Sequence, residues 1–257
     1  MTNPTFHGLS AGDQLGNLEY TVDDALMAEY RELVGCGGCY PNLLADDCRA
    51  LLVQRCGSLD LTTVWRRLEL LRPPIAGRRV QVGGWLREIE ERHGFPLLRV
   101  AAFAVDEIGT EILRSEAAFV VCGCEDSQEP DVPQSGSPAS VVQGFSDGMV
   151  GGGFNLGRLT LPDGGADRST ALLAGWLEGQ LGRHYGDDFR WGGTLSLAYL
   201  APAVPGGAVA GDAVVVGCDR DAGGAVKTRL VVSVFNRAGA RIAVGEALIT
   251  SPSPRLL

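Results

Sequence analysis

Lysine is nearly absent from this chain: Lys227 stands alone and the other basic residues are arginines. Histidine is scarce too, with only His7, His93 and His184. Lysine-based covalent chemistry therefore has one candidate, and imidazole acid–base chemistry has three. No apolar run reaches the ~18 residues that a spanning helix needs, so no membrane segment is expected. The opening MTNPTFHGLS has no basic stretch followed by an apolar core, so it does not read as a signal peptide, and a cytoplasmic location is expected. No basic stripe occurs and the formal net charge is -9, which argues against nucleic acid as a partner. No phosphate loop, dinucleotide glycine fingerprint, G-x-S-x-G elbow or H-E-x-x-H pair is present. No cofactor is expected. Seven cysteines make an odd count, and without an export signal free thiols are the expectation.

What is present is an ordinary folding composition, 45% hydrophobic and 21% charged over 257 residues, enough for one large domain or two modest ones. The stretch 123–153 is rich in Pro, Gly, Ser and acidic residues and reads as a linker. It divides the chain into 1–122 and 154–257, and the two parts resemble each other. Leu15-Gly16-Asn17-Leu18 is echoed by Leu156-Gly157-Arg158-Leu159, and Ala50-Leu51-Leu52 by Ala171-Leu172-Leu173. LLRPPIAGRRV at 70–80 is echoed by YLAPAVPGGAV at 199–209, a spacing of 129. Gly109, Ile112, Glu116 and Ala117 recur at a spacing of 130 as Gly239, Ile242, Glu246 and Ala247. Matches in the same order indicate duplication of a unit of ~110–120 residues, too long for a solenoid repeat.

Each unit reads in the same order. A short strand (18–22; 159–161) precedes a helix (46–55; 168–183), in which Leu172, Leu173, Trp176, Leu177 and Leu181 fall at helical spacing. Three long strands follow, at 80–91, 97–105 and 111–121 in the first unit, separated by turn-forming residues. The expected class is α+β, each unit a long helix covering one face of an antiparallel sheet.

This arrangement, with Leu71-Arg72-Pro73-Pro74-Ile75-Ala76-Gly77 and Leu200-Ala201-Pro202-Ala203-Val204-Pro205-Gly206 as its carriers, resembles the double-hotdog MaoC-like (R)-specific hydratase/dehydratase family. The resemblance implies a tunnel beside the helix that holds an acyl or polyketide chain, borne on a carrier protein or on CoA. The implied reaction is reversible loss of water from a 3-hydroxyacyl thioester, and a homodimer is left open. The family's active half carries an Asp and a His after its first helix. Aligned on Gly35, this chain has Cys36 in place of the Asp and Pro41 in place of the His, and its second half lacks the segment. The usual acid–base pair is therefore missing.

Substitute groups come from the same region. Asp46 and Asp47 begin the first helix, and Asp167, a candidate substrate contact, holds the matching place in the second. Such carboxylates either cap the helix or, desolvated by an acyl chain, serve as a catalytic base. Adjacent helical residues point ~100° apart, so one aspartate is expected to face the tunnel while the other caps, with Asp46 favoured for the tunnel. Tyr40 and Asn42, in the loop replacing the family segment, are candidates for orienting a substrate. His184, at the end of the second helix, reads either as a favourable charge on the helix C-terminus or as a substrate contact. The Cys36/Cys39 pair is open between structural thiols, a redox pair and a zinc site, although Cys48 and Cys56 complete no common zinc spacing, and no metal is expected. The resemblance, with these departures, implies non-standard dehydration, cyclisation or isomerisation of an acyl or polyketide intermediate in bacterial secondary metabolism. The alternatives are a catalytically silent subunit paired with an active dehydratase, and a ligand-binding module.

Overall fold

Long alternating runs bounded by glycine-containing turns dictate most of the architecture. A computed structural model describes residues 6–34, 46–92, 94–122, 152–163 and 166–251. In chain order the elements are β1 (Gln14–Thr21), α1 (Asp24–Val34), α2 (Asp47–Cys56), β2 (Asp60–Leu70), β3 (Arg79–Arg92), β4 (Phe95–Asp106) and β5 (Glu111–Cys122). There follow β6 (Gly153–Thr160), α3 (Ala166–Tyr185), α4 (Asp187–Arg190), β7 (Thr194–Tyr199), β8 (Ala208–Arg220), β9 (Val226–Asn236) and β10 (Arg241–Ser251). The ten described strands form one antiparallel sheet in the order β1-β3-β4-β5-β2-β7-β10-β9-β8-β6. The helices pack on it to make one continuous apolar core. α2 buries Leu51 and Leu52, and α3 buries Leu172, Leu173, Trp176, Leu177 and Leu181.

The duplication is written into the irregularities of the sheet. The β1–β3 ladder shifts between Gln14 and Gly16, and the β6–β8 ladder between Asn155 and Gly157. Gly16 and Gly157 both have φ near +100° (+106° and +91°), a region that side chains avoid. The β3–β4 bulge between Leu86 and Glu88 recurs between Val215 and Gly217 in β8–β9. The turn after β4 is closed by Asp106 Oδ1, which accepts from the backbone N–H of Ile108 and Thr110. Asn236 Oδ1 does the same for Ala238 and Ala240. Bulges cost ladder hydrogen bonds, so their recurrence at the spacings of the sequence repeat marks two copies of one fold.

The two copies join through β2 and β7, where Arg67 lies opposite Ser196. Those two residues are 129 apart, the spacing that relates the repeats, so the pseudo-twofold passes between them. Among the described residues the helices of the two halves differ in length: α3 has 20 residues in the second half, and α1 and α2 have 11 and 10 in the first. Most of the expected linker lies outside the described residues, but its last residue, Gly153, opens β6. No described helix is long and apolar enough to cross a membrane.

Candidate active site

The N-terminus of α2 points at the seam between the two halves. Asp46 precedes the helix in a left-handed conformation (φ 49°, ψ 66°), which Asp and Asn tolerate better than other side chains. Its carboxylate does not cap the helix. It turns instead to Arg66 of β2 and forms a buried ion pair through Oδ1, with both residues at most 5% exposed. Asp46 Oδ2 is buried and has no hydrogen-bond partner among the described residues. Asp47 is equally buried, and the Tyr20 hydroxyl of β1 donates to its Oδ2 at 3.3 Å. Both carboxylates are thus buried, with different side-chain partners.

Arg66 is held inside by the shape of β2. Leu61 and Thr63 point inward, the ladder to β5 then shifts between Thr63 and Trp65, and Arg66, Leu68 and Leu70 point inward afterwards. Burial alone would lower the Arg66 pKa, but the neighbouring Asp46 carboxylate outweighs it, with smaller help from Tyr199 and Cys48, and the guanidinium stays charged. Tyr199, at the end of β7 in the other half, donates to the Thr170 carbonyl at 3.3 Å. Burial pushes its phenol up to about 12, with Arg66 pulling down and Asp46 pushing up. Cys48 lies beside the pair and shares a hydrogen bond with Ser115 of β5 at 3.2 Å. Tyr20 is also raised, first by burial and then by the Asp47 charge.

The seam is symmetric in backbone but not in chemistry. The repeat spacing of 129 relates Arg66 to Leu195 and Tyr199 to Leu70, and both leucines are buried. One of the two related positions therefore carries the charged cluster and the other carries hydrocarbon.

The remaining sequence candidates fall elsewhere. Tyr40, Asn42, Cys36, Cys39 and His93 lie outside the described residues, as does the side chain of Asp167. His184 is exposed at the far end of α3, its ring 4.2 Å from that of Phe154. At 1.5 Å per residue it is about 25 Å from the start of that helix, so it does not join the cluster. Among the described residues no three His, Cys, Asp or Glu side chains are grouped to hold a metal ion. Arg66 and Tyr199 were missed as site residues in the sequence because β2 and β7 were not anticipated as strands. The signal for Arg66 was an arginine in phase with Leu68 and Leu70.

Burial pushes the Cys48 thiol up to about 12, so it stays protonated at neutral pH. Iodoacetamide at pH 8 is expected to label exposed Cys218 and to spare Cys48, read by peptide mass spectrometry. Labelling of both at one rate would mean that the α2 N-terminus opens readily.

No protein-family profile matches the sequence, and neither does any curated protein. Solved structures do match. A conserved hypothetical protein of Mycobacterium tuberculosis, described as a double hotdog fold, is 14% identical with TM-score 0.65, over 96% of this chain and 98% of that one. A protein from Chloroflexus aurantiacus described as a MaoC domain dehydratase is 11% identical with TM-score 0.66, over 98% of each chain. A protein of Lactobacillus plantarum described as an oleoyl thioesterase is 9% identical with TM-score 0.51, over 92% of this chain and 96% of that one. Likeness at such low identity establishes architecture: the chain has the double hotdog fold, shared with structures described as MaoC-like dehydratases.

Proposed function

We propose that this protein acts on the acyl group of a thioester, moving a proton at the carbon next to the thioester carbonyl. Asp46 is the acid–base group and Arg66 is the positioning residue that holds it. The observation that carries the reading is the buried Asp46–Arg66 pair beside Tyr199 at the seam of the two halves, with the second Asp46 oxygen unpartnered. In this scheme the free Asp46 oxygen takes the C2 proton and leaves an enolate, whose charge the buried guanidinium offsets. The protonated Asp46 then returns the proton. Return to another carbon of the chain is an isomerisation, and return to a departing hydroxyl completes loss of water. Attack of the enolate carbon on a second carbonyl of the same chain, with the proton delivered to the new alkoxide, is a cyclisation. A positioned group of this kind contributes about 10²–10⁴-fold in rate. The acyl group is carried on CoA or a carrier protein, and the reading places the enzyme in polyketide-type secondary metabolism.

A second reading, hydrolysis of the thioester, has the fold shared with the oleoyl thioesterase in its favour. One experiment separates the two. A short acyl thioester is incubated with the protein in D₂O, and C2–H exchange is followed by NMR while free thiol is titrated. Exchange without thiol release is the expected result. Thiol release without exchange supports hydrolysis, and neither signal supports a silent subunit or a binding module. Among the three outcomes isomerisation or cyclisation is expected over loss of water, because Cys36 and Pro41 replace the usual pair. Hydration of crotonyl thioesters, the reverse of that loss, is then far below the ~1–10³ s⁻¹ typical of enzymes, and hydration within that range would single out dehydration instead.

A further inference from the structure

A cavity of about 240 Å³ opens at the seam, between the irregular stretch of β2 and the segment after β7. Its walls include Val64 of the first half and Thr170, Tyr199 and Pro202 of the second, and among the described residues Tyr199 is the one ionisable side chain on them. The pairing of β2 with β7 sets Arg66 opposite Leu197, so Tyr199, two residues on, is its diagonal neighbour on the inner face. Diagonal neighbours stand about 7–8 Å apart, within reach of an aromatic and a long side chain. Tyr199 is half-buried, and its hydroxyl donates to the carbonyl of Thr170, another wall residue, at 3.3 Å. That is longer than the ~2.5–3.0 Å of an ordinary O–H···O bond. Thr170 lies in α3, where its carbonyl also accepts the backbone N–H four residues on. The phenol can therefore turn from that carbonyl to a ligand and leave no buried acceptor unpaired. Across the pseudo-twofold the related residue is Leu70, so only one of the two seam positions carries a phenol.

We propose that Tyr199 is a second catalytic residue, whose phenol donates to the thioester carbonyl oxygen as that oxygen gathers negative charge. This rests on the acyl-thioester reading above and adds to it a hydrogen-bond donor supplied by the other half of the chain. In the step, the C2–H bond breaks and its proton passes to Asp46. The electron pair left on C2 forms the C1–C2 double bond, and the carbonyl π pair moves onto the oxygen. Tyr199 keeps its proton and shares it with that oxygen, so no further acid or base is consumed. Burial holds the phenol protonated at neutral pH, and Arg66 beside it offsets the charge that it meets. No charged side chain lines the cavity, so no ion on its walls competes for the donor. Donors aimed where charge develops are among the largest contributions to rate.

The test is Tyr199→Phe in the full chain, read in two ways. The first is C2–H exchange of S-butyryl-N-acetylcysteamine in D₂O, where kcat is expected to fall about 10²–10³-fold with KM within a few-fold of wild type. The second is the near-ultraviolet band of the enolate of S-acetoacetyl-N-acetylcysteamine, bound at saturation and titrated with pH. A donor to the enolate oxygen favours the ionised form, so the bound ligand is expected to ionise at least about one pH unit lower on the wild type than on Tyr199→Phe. A phenol that only packs against Thr170 would not move this second reading. Exchange by Tyr199→Phe equal to wild type, or the same ionisation of the bound ligand on both proteins, overturns this inference and leaves the acyl-thioester reading standing. Absence of exchange by the wild type overturns both.

Discussion

Replacing Arg66 with methionine is expected to destabilise the protein by about 3–5 kcal/mol, because it leaves the buried Asp46 carboxylate without its partner. At about 2–4 °C per kcal/mol for a chain of this size, the melting temperature falls by roughly 10 °C. The informative comparison is a double-mutant cycle. Asp46→Asn alone also breaks the pair, but asparagine suits the left-handed backbone at that position, so no conformational strain is added. Arg66→Met with Asp46→Asn removes both charges together. The double variant is expected to be more stable than the sum of the single losses predicts, with a coupling of about 1–3 kcal/mol. Denaturant unfolding of the four proteins measures it. Strict additivity would mean that solvent reaches the pair and that the cluster is not the dry site described above.

Asp46→Asn is expected to lower C2–H exchange of a short acyl thioester by about 10²-fold or more. Asparagine keeps the shape and one acceptor oxygen facing Arg66, but it cannot take the proton. Asp47→Asn serves as the control. Its carboxylate accepts from the Tyr20 hydroxyl on the β1 side, and the amide oxygen can still do so, so exchange is expected to stay within a few-fold of wild type. Each variant must be assayed well below its own melting temperature, since the Asp46→Asn protein also loses stability. If exchange by Asp46→Asn equals wild type, the acid–base group lies elsewhere. Equal losses in both aspartate variants would indicate that the two carboxylates act as one unit.

The long strands were legible because their chemistry is local. Alternation across 80–91, 97–105 and 111–121, with turn residues between, places β3, β4 and β5 to within a few residues. The same holds for the helical spacing of Leu172, Leu173, Trp176, Leu177 and Leu181. The double hotdog was legible as a resemblance, carried by the repeat and by the proline–glycine segments after β2 and β7. The two strands that join the halves were harder. Strict period-2 alternation from Leu61 would turn Arg67 and Glu69 inward, and the ladder shift before Trp65 reverses that phase. A bulge depends on the partner strand, so no window along β2 alone reveals it.

Sequence by itself determined the duplication and the antiparallel strands, and it pointed to the region holding Asp46 and Asp47. Each depends on residue identity or on spacing within one segment. Only tertiary structure decided what those aspartates touch. Arg66 comes from 20 residues away on a central strand, Tyr20 from the sheet edge, and Tyr199 from the other half of the chain. Pairing β2 with β7 at Arg67 and Ser196 brings Tyr199 to Arg66 and leaves leucines at the related positions across the seam. Contacts between segments more than 100 residues apart are set by how the sheet closes on its helices, and local pattern carries no record of them.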